Sequence, residues 1–169
     1  MSSTLGNKNI KVESDRNNFS YGKYFLPIIL IITVVVFINS LHNGFVSNWD
    51  DGVYVLNNST INQLHWDNIT VFFSTFFEGN YHPLTLLSYA IEVKMFGFNP
   101  FYFHLLNLII HVLNVLLTYL VVKRLTNNDF IAHFTSLLFG IHPMHVESFA
   151  WFSVSKVVLF ILFFLLCFY

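Results

Sequence analysis

A few short stretches of this sequence carry residues able to do chemistry. Ser47-Asn48-Trp49-Asp50-Asp51-Gly52 holds two adjacent carboxylates. His82-Pro83 brings an imidazole. His142-Pro143-Met144-His145-Val146-Glu147 brings two more with an acid, and Lys156 stands alone before a last apolar run. Adjacent acids beside an apolar run are either a solvated loop or a site at a membrane surface. Imidazole and carboxylate are suitable ligands for a divalent metal. The His-x-x-His-x-Glu spacing, however, matches neither His-Glu-x-x-His nor another defensible metal motif. Lys156 can meet a phosphate as a point charge or snorkel at a membrane boundary.

Composition says what must position these groups. Charged residues make up 10 % of the 169 and hydrophobic ones 55 %. Soluble domains carry about 25 % charged residues, so the chain reads as an all-α integral membrane protein. No basic cluster points to nucleic acid. The single cysteine, Cys167, lies in an apolar run and can form no internal disulfide.

The polar segment 1–23 lacks hydrophobic periodicity and reads as a disordered tail. Apolar runs near 25–41, 101–122, 130–146 and 157–169 are the candidate spans. Lys8, Lys11, Arg16 and Lys23 precede the first, and no Lys or Arg occurs from Tyr24 to Val93. The positive-inside rule therefore predicts a cytoplasmic N-terminus, with loop 42–100 on the outer side: periplasm, cell exterior or lumen. Lys123-Arg124 returns the second span to the cytoplasm. A signal peptide is the rival reading of the first run, but no small-residue cleavage site follows it. The last run is about 13 residues, too few to cross. This reads as the front of a longer protein or a truncated gene.

Loop 42–100 has structure of its own. A short helix is expected within Asp50–Leu56. An interfacial helix is expected from Asp67, a candidate N-cap, to Phe77. A juxtamembrane helix is expected over Leu84–Phe96, with Leu84, Leu87, Ile91 and Met95 as one stripe and Gly97 as its cap. Asn57, Asn58 and Asn68 head N-x-Ser/Thr sequons, which matter only in a eukaryotic lumen and also arise by chance. In the second span His104, Asn107, His111, Asn114 and Thr118 fall on one face, which should turn inward. Its plain reading is interhelical hydrogen-bonding. Its functional reading gives His104, nearest the outer mouth, a role in binding, or makes the face part of a transporter pathway.

Five segments in order resemble the GT-C superfamily of membrane glycosyltransferases, in the branch with transmembrane and tetratricopeptide-repeat regions related to protein O-mannosyltransferases. They are Asn48-Trp49-Asp50-Asp51-Gly52-Val53-Tyr54, Tyr81-His82-Pro83-Leu84-Thr85, Phe96-Gly97-Phe98, Phe103-His104-Leu105-Leu106-Asn107 and Leu138 to Ser148. The resemblance implies a partial GT-C-type helix bundle. It implies a sugar, mannose among the candidates, carried on a polyprenyl phosphate and passed to a hydroxyl of a protein Ser or Thr or of a glycan. It implies Asp50 as general base, with Asp51 raising its basicity. His82, His145 and Lys156 become candidates to hold the leaving phosphate, and Glu147 joins the substrate-binding set. The pattern continues Ser-Glu-Arg-Lys-Asp, whereas this chain has Ser153-Val154-Ser155-Lys156-Val157. That departure supports an alternative, a catalytically inactive paralogue or partner subunit.

Overall fold

A computed structural model describes residues 22–62, 64–145 and 155–169. Most of the polar segment 1–23, Glu147 and Val154 lie outside them. The described residues form helices and turns, with no strand among them. Six α-helices run in order: α1 (Gly22–Phe37), α2 (Trp66–Ser74), α3 (Pro83–Phe96), α4 (Pro100–Thr126), α5 (Asp129–Gly140) and α6 (Ser155–Phe168).

The longest element, α4, organises the bundle. Pro100 starts it at the position where the missing N–H costs nothing, and the Asn99 side chain accepts from Phe101 N. It ends on Asn127, whose φ of 51° is the left-handed cap conformation. At 1.5 Å per residue it is about 40 Å long, beyond the roughly 30 Å of a hydrocarbon core. Helices α5 and α6 pack along it, and α1 contacts both α4 and α5. Gly140 makes the last of these contacts close: a Cβ there would press on Thr33 Oγ1 and Val115.

Tyr24–His42 and Pro100–Thr126 are long and apolar enough to cross a membrane. Much of α1 is exposed, including Ile28, Ile31, Val35 and Val36, an apolar surface suited to lipid rather than water. The other two expected spans are shorter than a bilayer core. Of the expected run 130–146, Asp129–Gly140 forms one helix, about 18 Å long. Pro143 lies in the turn that follows its end. Helix α6 covers about 21 Å.

The segment between α1 and α4 is a small folded unit. A π-helical turn, Gly52–Leu56, stands where a short helix was expected. Its Tyr54 and Val55 join Ile61, Phe72 of α2, Leu86, Tyr89, Ala90 and Val93 of α3, and Phe103 of α4 in one core. Two local readings change. Helix α2 has His65 at its N-cap position, without a side-chain cap bond, and Asp67 in its first turn. On α3 the Leu84, Ile91 and Met95 stripe faces outward, while Leu86, Tyr89, Ala90 and Val93 form the packed face. The larger apolar surface of α3 thus had two faces from which to choose, and core contacts with the π-helical turn decided it.

Candidate functional site

The π-helical turn presents Asp50 at its start and buries Asp51. Asp51 has no exposed surface, and its Oδ2 accepts from Val46 N at 3.0 Å. It therefore holds the preceding loop and offers nothing to a solvent-side substrate. Gly52 is required at the next position for space. A Cβ there would collide with the Ser47 carbonyl. Gly52→Ala is expected to cost about 1–3 kcal/mol as overpacking, read as a lower thermal midpoint and faster proteolysis of the 43–62 segment.

Asp50 is half-exposed, and Lys156 Nζ lies 3.2 Å from its Oδ2. The same ammonium sits 5.2 Å from the Tyr54 ring centroid, within cation–π reach. Tyr54 is itself fixed, because its phenol oxygen accepts from Asn80 Nδ2 at 3.3 Å. Phe77 and Asn80 exchange backbone hydrogen bonds of 2.9 Å around the Glu78-Gly79 turn, where both residues have positive φ. At the start of α6, Ser155 Oγ is 2.8 Å from the buried Tyr89 phenol oxygen of α3. That contact anchors the residue preceding Lys156.

His82 caps α3 beside this pair. Burial, and then the nearby Lys156 charge, hold its imidazole below the ordinary value. It is therefore neutral at pH 7 and able to donate one N–H. Lys156 thus meets Asp50 and Tyr54 and lies near His82, residues far apart in sequence. A carboxylate, an ammonium and a neutral imidazole in one exposed cluster can take up a proton and hold an anion side by side.

The remaining sequence candidates lie elsewhere. His104 is fully buried on α4, and neither ring nitrogen has a hydrogen-bond partner. His145 packs against His111 and Phe139, with ring centroids 4.7 Å from each. Its neighbour His142 is exposed on the loop, Nδ1 accepting from Met144 N. Among the described residues no three His, Cys, Asp or Glu side chains converge to hold a metal ion. The inward polar face of α4 is buried throughout, as its spacing predicts. His111 Nε2 lies 3.1 Å from the Gly140 carbonyl, and Asn114 Nδ2 donates to the Val158 carbonyl at 2.9 Å. These bonds tie α4 to α5 and α6, the helix-joining role. A cavity of about 510 Å³ between α1 and α5 is lined by Phe25, Ile29, Phe130 and Phe134 at the Asp129 end. Its walls are apolar, and none of the cluster around Asp50 lines it.

Sequence reasoning missed Tyr54, Asn80, Tyr89 and Glu92. Tyr54 carries one local signal, lying four residues beyond Asp50 on a helical turn. Glu92 carries none. It is 3 % exposed, with Oε1 accepting from Ser88 Oγ at 2.8 Å and Oε2 unpartnered. Burial, only partly offset by the Ser88 bond, pushes its carboxyl from 4.5 up to about 8. A raised folded value favours the neutral acid. The stabilisation is complete below about pH 4.5 and is lost as pH rises toward 8. Glu92→Gln keeps the acceptor for Ser88 and cannot ionise. Its thermal midpoint is expected to match wild type near pH 5 and exceed it above pH 8, in a melting series across pH.

The described residues form an all-helical membrane protein in which Asp50 and His82, on the folded segment between two candidate spans, lie near Lys156 at the start of α6. Within that class the chain is similar to the TMTC protein O-mannosyl-transferases. It is 41 % identical to Protein O-mannosyl-transferase TMTC1 of Mus musculus over 90 residues, 53 % of this chain and 10 % of the relative. It is 33 % identical to Protein O-mannosyl-transferase TMTC3 of Homo sapiens over 134 residues, 72 % of this chain and 14 % of the relative. Against Protein O-mannosyl-transferase F38B6.6 of Caenorhabditis elegans it is 28 % identical over 144 residues, 78 % and 20 % of the two chains. The chain thus spans a tenth to a fifth of the length of these relatives. No family profile and no solved structure matches it.

Proposed function

We propose that this chain forms the acceptor-activating and phosphate-holding part of a GT-C-type glycosyltransferase. The reaction moves a sugar, mannose by the relatives' names, from a polyprenyl phosphate to a Ser or Thr hydroxyl of a protein. The carrying observation is the 3.2 Å approach of Lys156 to Asp50 across 106 residues of sequence. Asp50 takes the proton of the acceptor hydroxyl. The hydroxyl oxygen attacks the anomeric carbon, the bond from that carbon to the phosphate oxygen breaks, and polyprenyl phosphate leaves. Lys156 and the His82 N–H meet the charge growing on that phosphate. Before donor arrives, Asp50 occupies Lys156, which holds both groups in place.

The membrane supplies the donor. The exposed apolar residues of α2 and α3, including Trp66, Phe73, Leu84 and Met95, let this segment lie on the bilayer. The cluster then sits at headgroup height, where a lipid phosphate resides. The cation pattern supports this face lying outside the cytoplasm. A photoactivatable polyprenyl-phosphate mannose tests donor binding. It is expected to label wild-type chain in membranes, with labelling competed by unlabelled donor and reduced in Lys156→Met. Equal labelling of both chains counts against the phosphate assignment.

A second reading, an inactive paralogue or partner subunit, is favoured by Val157. It is 41 % exposed beside Lys156, where the resembled pattern has an aspartate. Donor labelling without sugar transfer is the result that reading predicts.

A further inference from the structure

Three sequons overlap the folded segment, and the structure treats them differently. Asn58 is 4 % exposed and fully engaged. Its Oδ1 accepts from Thr60 N at 3.0 Å and from Thr60 Oγ1 at 2.5 Å, while its Nδ2 donates to the Tyr54 carbonyl. Asn68 is half-buried inside α2, and the hydroxyl of its Thr70 donates to the Asp67 carbonyl at 2.7 Å. Asn57 differs from both. It follows the π-helical turn, donates its backbone N–H to the Gly52 carbonyl at 2.8 Å, and is exposed together with its sequon partner Ser59. Both lie on the rim of an open surface cleft of about 370 Å³ with Val53 and Glu78. A large glycan at Asn57 can project into solvent without displacing core residues. One at Asn58 must break three hydrogen bonds and leave the core.

We infer that Asn57 is an N-glycosylation acceptor whose glycan stands on the same folded segment as Asp50. Its co-substrate is an oligosaccharide on a polyprenyl diphosphate, delivered by a separate lumenal transferase. The Asn57 Nδ2 bonds to the anomeric carbon of the first sugar. That carbon's bond to the diphosphate oxygen breaks, polyprenyl diphosphate leaves, and one amide proton passes to a base of the transferase. The relatives named above are animal proteins, and animal cells hold this machinery in the lumen of the endoplasmic reticulum. The inference rests on the outward orientation of the loop and not on sugar transfer by the chain itself.

The test expresses the full chain in cultured animal cells and compares mobility before and after peptide-N-glycosidase digestion. Wild type is expected to lose one glycan's mobility step. Ser59→Ala, which removes only the Asn57 sequon, is expected to abolish the step. Thr60→Ala and Asn68→Gln, which remove the other two, are expected to keep it. Orientation is read separately with Asn62→Cys in a Cys167→Ser background, Asn62 being a polar, exposed residue of the same loop. A membrane-impermeant maleimide should label sealed microsomes only after permeabilisation. Lumenal labelling without a glycan, or lumenal labelling with a glycan that survives Ser59→Ala, overturns the choice of Asn57 and leaves the orientation standing. Labelling of sealed microsomes overturns the orientation and the inference with it.

Discussion

Asp50→Asn is expected to lower sugar transfer by about 10²–10⁴-fold, the usual contribution of a positioned general base. The substitution keeps size and shape, so the turn should stay intact. Asp50 is half-exposed and leaves no buried charge when neutralised. The amide cannot take the acceptor proton, so the loss should fall on kcat with little change in donor KM. Asp50→Glu should recover part of the rate, because the carboxylate returns about one bond length out of place. Initial rates in detergent-solubilised membranes, with acceptor peptide and lipid donor varied independently, separate the two parameters. A fall in KM affinity alone would mean that Asp50 binds substrate and does not activate it.

Lys156→Met carries the second large effect, about 10²–10³-fold in kcat/KM, the range for removing one group that stabilises developing charge. Methionine retains most of the apolar stem against Tyr54, so packing should survive. The effect should appear in both parameters, since Lys156 meets the phosphate in the bound donor and again as it leaves. Lys156→Arg should recover only part, because a planar guanidinium does not reproduce a compact ammonium over the Tyr54 ring. Tyr54→Phe, which keeps the ring and loses the Asn80 bond, should be milder than Lys156→Met in the same assay.

Much of this arrangement was legible from the residues. The three-four spacing from His104 to Thr118 fixed which face of α4 turns inward, because that spacing and a buried polar face have the same cause. Gly97 marked the end of α3 through backbone chemistry that needs no tertiary partner. Asp50, His82 and Lys156 could be nominated by type and position. Their meeting could not be read, since it depends on how α6 docks on α3 through Tyr89 and Ser155. Asp51 illustrates the opposite failure. Its neighbourhood with Asp50 suggested electrostatic tuning, but the π-helical turn sends the two carboxylates to different environments and gives Asp51 the Val46 amide. The outward stripe on α3 misled for a related reason: a helix lying on a membrane has two apolar faces, and periodicity does not say which one meets the core.

The central claim, that Asp50 and Lys156 form one transfer site, is tested most directly by turnover. Membranes holding wild-type chain, with the sequence that extends it in the full gene product where one exists, receive polyprenyl-phosphate [³H]mannose and a Ser/Thr-rich acceptor peptide. The account predicts label in the peptide from the lipid donor, none from a nucleotide-sugar donor in washed membranes, and loss of that label in Asp50→Asn and in Lys156→Met. Undiminished transfer by Asp50→Asn, in membranes where wild type is active, would contradict it.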